Sequence, residues 1–216
     1  TFSGAATANR GTLEIFNTGS TSAAGLIQVS SGATLGGGGS GGVTTVEGTL
    51  APGDVNDNGL ALAGLTLAGS ALLDFELYAP NADPQVPEFY GDFVGVTSTL
   101  TLDGTLRISG RSGHPSGPYD FTSAQAGDKW LLMTYAPGSL TDNGLMVDTA
   151  HSPALAPGLA YAIETDNTFG GVYLVVAVPE PGTGILAVLG LLLFRRRAGN
   201  SGSHVQKQTR FFVHHS

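Results

Sequence analysis

The chain has 216 residues, 33 of them glycine and none cysteine, with 41% hydrophobic residues and a formal net charge of −8. Without cysteine there is neither a disulfide framework nor a thiolate metal site, so stability must come from packing. Residues 1–178 carry 4 Lys+Arg against 16 Asp+Glu while residues 179–216 carry 5 against 1, and so acidic a body excludes nucleic acid as a partner, because neutralising phosphates needs a basic patch.

From the amino terminus onward the chain alternates between glycine-led turns and short apolar runs. Gly-Thr-Leu or a close relative recurs as Gly11-Thr12-Leu13, Gly32-Ala33-Thr34-Leu35, Gly48-Thr49-Leu50, Gly69-Ser70-Ala71-Leu72 and Gly104-Thr105-Leu106, at intervals of 21, 16, 21 and 35 residues. Self-similarity on a scale of ~20–50 residues marks solenoids and arrays. Between the glycines lie Leu13–Phe16, Leu26–Val29, Val43–Val46, Leu65–Leu67, Leu72–Leu77 and Leu100–Leu102, which read as strands bounded by turn residues. Stacked β-rungs fit this pattern: inward residues build one apolar column and glycine permits the corners. The run Gly36–Gly42 is expected to be a tight corner joining two rungs rather than a flexible linker, because strands flank it on both sides.

Ser30-Ser31-Gly32-Ala33-Thr34-Leu35-Gly36-Gly37, Val43-Thr44-Thr45-Val46 and Gly48-Thr49-Leu50-Ala51-Pro52-Gly53 resemble the autotransporter-associated β-strand repeat of bacterial passenger domains, and the likeness covers most of residues 11–135. The resemblance implies an all-β fold: a parallel β-helix or solenoid displayed at the cell surface. Rungs are expected over 1–78, with continued rungs and a C-terminal capping β-unit over 79–177. Pro80–Pro87 and Gly110–Pro118 read as protruding loops. Trp130–Tyr135 and Val172–Val178 read as buried strands of the cap, which is needed because an open rung exposes strand edges.

The strongest feature closes the chain. Val178-Pro179-Glu180-Pro181 is followed by thirteen uncharged residues, Gly182–Phe194, and then by Arg195-Arg196-Arg197. As a helix the uncharged run would rise roughly 20 Å, short of the ~30 Å hydrocarbon core, which suits a temporary anchor with snorkelling arginines. The arginines keep to the cytoplasmic side and leave everything before Val178 outside, so a signal peptide is expected to precede Thr1. This order of elements resembles the PEP-CTERM sorting signal. That likeness implies an exosortase-type sorting enzyme as partner, a transient inner-membrane anchor over 178–197, and release to the cell surface or extracellular matrix of a Gram-negative bacterium. Residues 198–216 are expected to form a disordered tail.

Catalytic and metal patterns are sparse. Asp54-Val55-Asn56-Asp57-Asn58-Gly59 matches the opening of a calcium loop, but the twelfth position is Leu65 where a bidentate carboxylate is needed, so Asp54, Asn56 and Asn58 are weak candidates and a polar turn is the plainer reading. Asp74 and Glu76 share one face of a strand and could pair as acids for glycoside chemistry, or simply form the solvated side opposite Leu73, Phe75 and Leu77. His114 and His151 lack spaced partners, as does the His214-His215 pair. The expectation is therefore a non-catalytic exported envelope or matrix protein with no cofactor, associated with extracellular polysaccharide. The alternative is a truncated carbohydrate-active β-helix enzyme.

Overall fold

In the computed structural model the described residues are 4–16, 25–53, 59–80, 91–110 and 118–180. Of the two expected loops, Pro80–Pro87 and Gly110–Pro118, all but Pro80, Gly110 and Pro118 lie outside them. The chain divides into two compact units, Thr1–Val178 and Pro179–Ser216. The first unit is all-β. Its only helical element among the described residues is one 3₁₀ turn, Phe121–Ser123.

Sixteen strands among the described residues fall into two sheets. The ten-stranded sheet contains β1 (Ala6–Ala8), β3 (Ile27–Val29), β5 (Ser40–Val46), β7 (Leu60–Leu67), β9 (Val94–Val96), β10 (Leu100–Leu102), β12 (Lys129–Thr134), β13 (Leu140–Asp142), β15 (Ala160–Asp166) and β16 (Gly171–Ala177). The six-stranded sheet contains β2 (Gly11–Glu14), β4 (Ala33–Gly37), β6 (Thr49–Pro52), β8 (Leu72–Leu77), β11 (Thr105–Gly110) and β14 (Met146–Val147). Through β8 the chain crosses to the other sheet after every strand, and each strand pairs in parallel with the next one in its own sheet.

The Gly-Thr-Leu units open the strands of the six-stranded sheet. Register places Leu13 on Leu35, Leu35 on Leu50, Leu50 on Leu73 and Leu73 on Leu106. Leu35, Leu50, Leu73 and Leu106 are fully buried, and burying such a side chain is worth about 1.5–3 kcal/mol. Facing them, Ala6, Ile27, Thr44, Leu65, Leu100 and Leu140 stack in the ten-stranded sheet. Side chains from both sheets meet in one core. Thr44 is the one polar member of its column; its hydroxyl donates to the Gly42 carbonyl at 3.1 Å, which satisfies it without leaving the strand.

Corners alternate in size. Ser30 to Ala33 and Ala68 to Ala71 are four-residue turns closed by backbone hydrogen bonds of 3.0 and 2.8 Å. The intervening corners, Glu47-Gly48 and Asp103-Gly104, have only two residues between strands. The polyglycine run is split by the fold: Gly36 and Gly37 end β4, Gly38-Gly39 is the corner, and β5 begins at Ser40. The 35-residue interval comes mainly from one long connection. Most of the extra chain lies between β8 and β9, where 16 residues separate Leu77 from Val94 against 7 between Pro52 and Leu60; the long strand β7 is then matched by two short ones, β9 on Leu60–Leu62 and β10 on Leu65–Thr66.

After β11 the order changes. β12 lies parallel to β9, β13 to β10 and β14 to β11, and then β16 returns antiparallel to β12 with β15 outside it. Trp130 is buried on β12 and donates its indole N–H to the Tyr78 carbonyl at 2.8 Å. Tyr119 packs on it edge-on and Phe121 tilted, and Tyr161 packs edge-on against Phe121. The 3₁₀ turn that carries Phe121 is started by Asp120, whose carboxylate accepts from the Thr122 N–H at 2.9 Å.

Candidate functional site

The end of β16 positions the first candidate. Val172–Val176 are buried between β12 and β15, and the last pair of the ladder is Ala177 with Ala160. Val178 is then 65% exposed, and Pro179 and Glu180 are exposed as well. Proline cannot donate to a ladder, so pairing stops where the Pro-Glu-Pro sequence starts. Pro181, the apolar run 182–194, Arg195, Arg196, Arg197 and the tail 198–216 lie outside the described residues. Among the described residues no helix is long and apolar enough to cross a membrane.

A groove of about 510 Å³ lies on the outer face of the six-stranded sheet, with Glu14, Asp74, Glu76 and Asp92 on its walls and Gly36 and Ala51 in its lining. Small residues at these two outward positions leave the space. Asp74 sits opposite Arg107 in register, and the guanidinium grips it twice, Nε to Oδ1 at 3.0 Å and Nη2 to Oδ2 at 2.5 Å. That hydrogen bond, together with the Asp74 charge, holds the Arg107 guanidinium above its ordinary pKa. Leu73, Phe75 and Leu77 point into the core, so Asp74 and Glu76 do share the outward face. Asp92 fastens the end of β8, because its carboxylate accepts the Glu76 N–H at 2.8 Å and its own N–H donates to the Glu76 carbonyl at 2.8 Å. No sequence motif singles out Glu14 or Asp92, which lie 62 and 16 residues from Glu76 and reach the groove only through strand pairing.

His151 Nδ1 lies 2.7 Å from Asp148 Oδ2, and this contact keeps the Asp148 carboxyl below its ordinary range. Asp148 also accepts the backbone N–H groups of Ala150 and His151, which makes the pair a turn-closing device. No group of three or more His, Asp or Glu able to hold a metal occurs among the described residues. Asp54, Asn56 and Asn58 lie outside them, as do His114, His214 and His215.

The outer face of the ten-stranded sheet carries a different pattern. Thr7, Gln28, Thr45, Thr66, Thr101 and Thr141 occupy successive positions of a single outward column. At about 4.8 Å per strand the column runs ~24 Å. In the sequence its only trace is a polar residue just before the last residue of each strand. No protein-family model and no curated protein matches the chain.

Proposed function

We propose that this chain is the body and sorting segment of an exported, non-catalytic cell-envelope or matrix protein. Its first unit is read as a parallel β-solenoid of stacked two-strand rungs, closed at the C-terminal end by the antiparallel β15–β16 pair. Val178-Pro179-Glu180-Pro181, the apolar run and Arg195-Arg196-Arg197 then serve as a PEP-CTERM-type signal for an exosortase-type enzyme at the membrane.

The observation that carries this reading is the position of the motif. The compact unit ends at Val178, and the exposed Val178-Pro179-Glu180 follows a fully paired strand directly. Cutting there releases an intact body, whereas cutting a few residues earlier would remove a central strand. The charge division at the same place, acidic before and basic after, supports outward display of the body and retention of the arginines.

Mass spectrometry of the protein shed by cells tests the reading. A mature C-terminus close to Pro179 or Glu180 is expected. An intact Ser216 in the surface fraction would overturn it.

The acidic groove favours a second reading, a carbohydrate-active enzyme whose acids are Glu76 and Asp74. Both oxygens of Asp74 are engaged by Arg107, which weighs against it as a nucleophile or acid. Depolymerisation of a glycan by the chain, abolished by Glu76→Gln, would establish this second function.

A further inference from the structure

We propose that the outer face of the ten-stranded sheet binds an uncharged polysaccharide chain along the column Thr7, Gln28, Thr45, Thr66, Thr101 and Thr141. The proposal deepens the reading of the body as a displayed, glycan-associated surface, but binding in solution requires no sorting, so either can fail alone.

Three observations converge on this face. The first is that its hydroxyls are uncommitted: among the described residues no side-chain hydrogen bond engages Thr7, Thr45, Thr66, Thr101 or Thr141, whereas Thr44, Ser70 and Ser98 spend theirs on backbone carbonyls. A hydroxyl both donates and accepts, so an evenly spaced row of them matches a polyol whichever way its own hydroxyls turn.

The second is an apolar shelf beside the column. Leu26 and Val43, one position before Ile27 and Thr44, are 64% and 47% exposed. Val43 lies opposite Gly64, which is itself covered by the Ser98 and Thr99 side chains, so the shelf consists of Leu26 and Val43. Sugar rings present C–H faces as well as hydroxyls, and the shelf offers those faces apolar area to bury.

The third is charge. No ionisable residue stands in the column itself; Asp142 adjoins Thr141 at its end, and Arg10, Glu47 and Asp103 lie at the corners where the chain turns to the other sheet. The body as a whole is strongly acidic. An anionic polymer is repelled by that field, and a cationic one is drawn to the groove with Glu14, Asp74, Glu76 and Asp92 on the opposite face. An uncharged strip in an acidic body therefore selects an uncharged chain. The six-stranded sheet supplies the contrast: its own outward row, Thr12, Thr34, Thr49, Leu72, Thr105 and Met146, is interrupted twice by apolar side chains.

The test uses the full chain, with cellulose and dextran as uncharged probes and alginate as an anionic one. Retention by cellulose or dextran, and none by alginate, is expected. T45E/T66E, which puts charge in the middle of the column, and T45V/T66V, which keeps the β-branched shape without the hydroxyls, should each weaken retention about tenfold, the loss expected of one or two hydrogen bonds. T34E/T49E on the other sheet should leave it unchanged, with circular dichroism verifying that all three variants are folded. The proposal is overturned if neither uncharged probe retains the chain, if T45V/T66V binds like the parent, or if T34E/T49E loses as much. It is equally overturned if light scattering shows a dimer that T45E/T66E dissociates, for then a second copy covers the face.

Discussion

Gly48 and Ala33 belong to neighbouring corners, and a Cβ on Gly48 would lie 2.3 Å from the Ala33 carbonyl oxygen. The same relation recurs one repeat later, where a Cβ on Gly104 would lie 2.4 Å from the Ala71 carbonyl oxygen. Both of these two-residue corners thus seat their glycine on the carbonyl of the last residue of the four-residue turn beneath, Ala33 or Ala71. This explains glycine at positions 48 and 104, whereas Gly11 and Gly32 meet no such contact and instead carry φ values of 73° and 83°.

Gly48→Ala and Gly104→Ala should each destabilise the body by about 2–4 kcal/mol, since backbone must move to admit the methyl group. Gly104 adds the strain of a φ of +86°. Gly138→Ala is the control: its φ is +78° but nothing lies within 4 Å of the added carbon, so only the conformational cost of ~1 kcal/mol is expected. Urea denaturation of the three variants ranks them.

Leu50→Ala should cost about 2–5 kcal/mol, because Leu50 is fully buried between Leu35 and Leu73 and the column cannot close over the gap. Arg107→Ala should cost below about 1 kcal/mol despite its two hydrogen bonds, because the Arg107–Asp74 pair is 39% and 30% exposed. Equal losses from the two changes would contradict the assignment of stability to the core.

Alkali should destabilise the folded body through its tyrosines. Burial raises the phenols of Tyr119, Tyr135, Tyr161 and Tyr173 above the ordinary 10.0. A group whose pKa is raised by folding gives its full contribution below the unfolded value and loses it as pH rises through the folded one. Stability should therefore be level with respect to these groups below pH 10.0 and fall above it. Tyr161→Phe forgoes the hydrogen bond to the Pro153 carbonyl at 3.0 Å, at a cost of about 0.5–1.5 kcal/mol near neutrality. It should also show a shallower alkaline decline, read by denaturant titration at stepped pH.

A chain ending at Val178 should melt at the same temperature as the parent body, because every strand found among the described residues is retained. A chain ending at Gly170 lacks β16, which pairs with both β12 and β15 and buries Val172–Val176. It should lose the near-ultraviolet dichroism of Trp130, and unchanged melting would refute the role assigned to β16.

Much of the fold was legible because strand chemistry is local. The alternation Leu73-Asp74-Phe75-Glu76-Leu77 already divides inside from outside, and the structure buries the three apolar residues. Leu72 was less legible. It follows glycine in the repeat as Leu50 does, yet Leu73 is the residue stacked on Leu50, because the preceding corner, Ala68–Ala71, is longer than Glu47-Gly48. Corner length is set by backbone hydrogen bonds that a repeat pattern does not record. The acidic groove was hidden for a related reason: Asp74 and Glu76 are two residues apart, but Glu14 and Asp92 join them only across sheets of parallel strands.

The amino-acid sequence by itself determined the all-β character, the inward and outward sides of individual strands, and the division of charge at residue 178, since each follows from residue type and spacing along one segment. Tertiary structure alone decided the register, and with it the leucine column, the threonine column, the pairing of Arg107 with Asp74 and the return of β16 between β12 and β15. Parallel pairing joins residues separated by a whole turn of chain, so a change of one residue in any corner would carry every later side chain to a different neighbour.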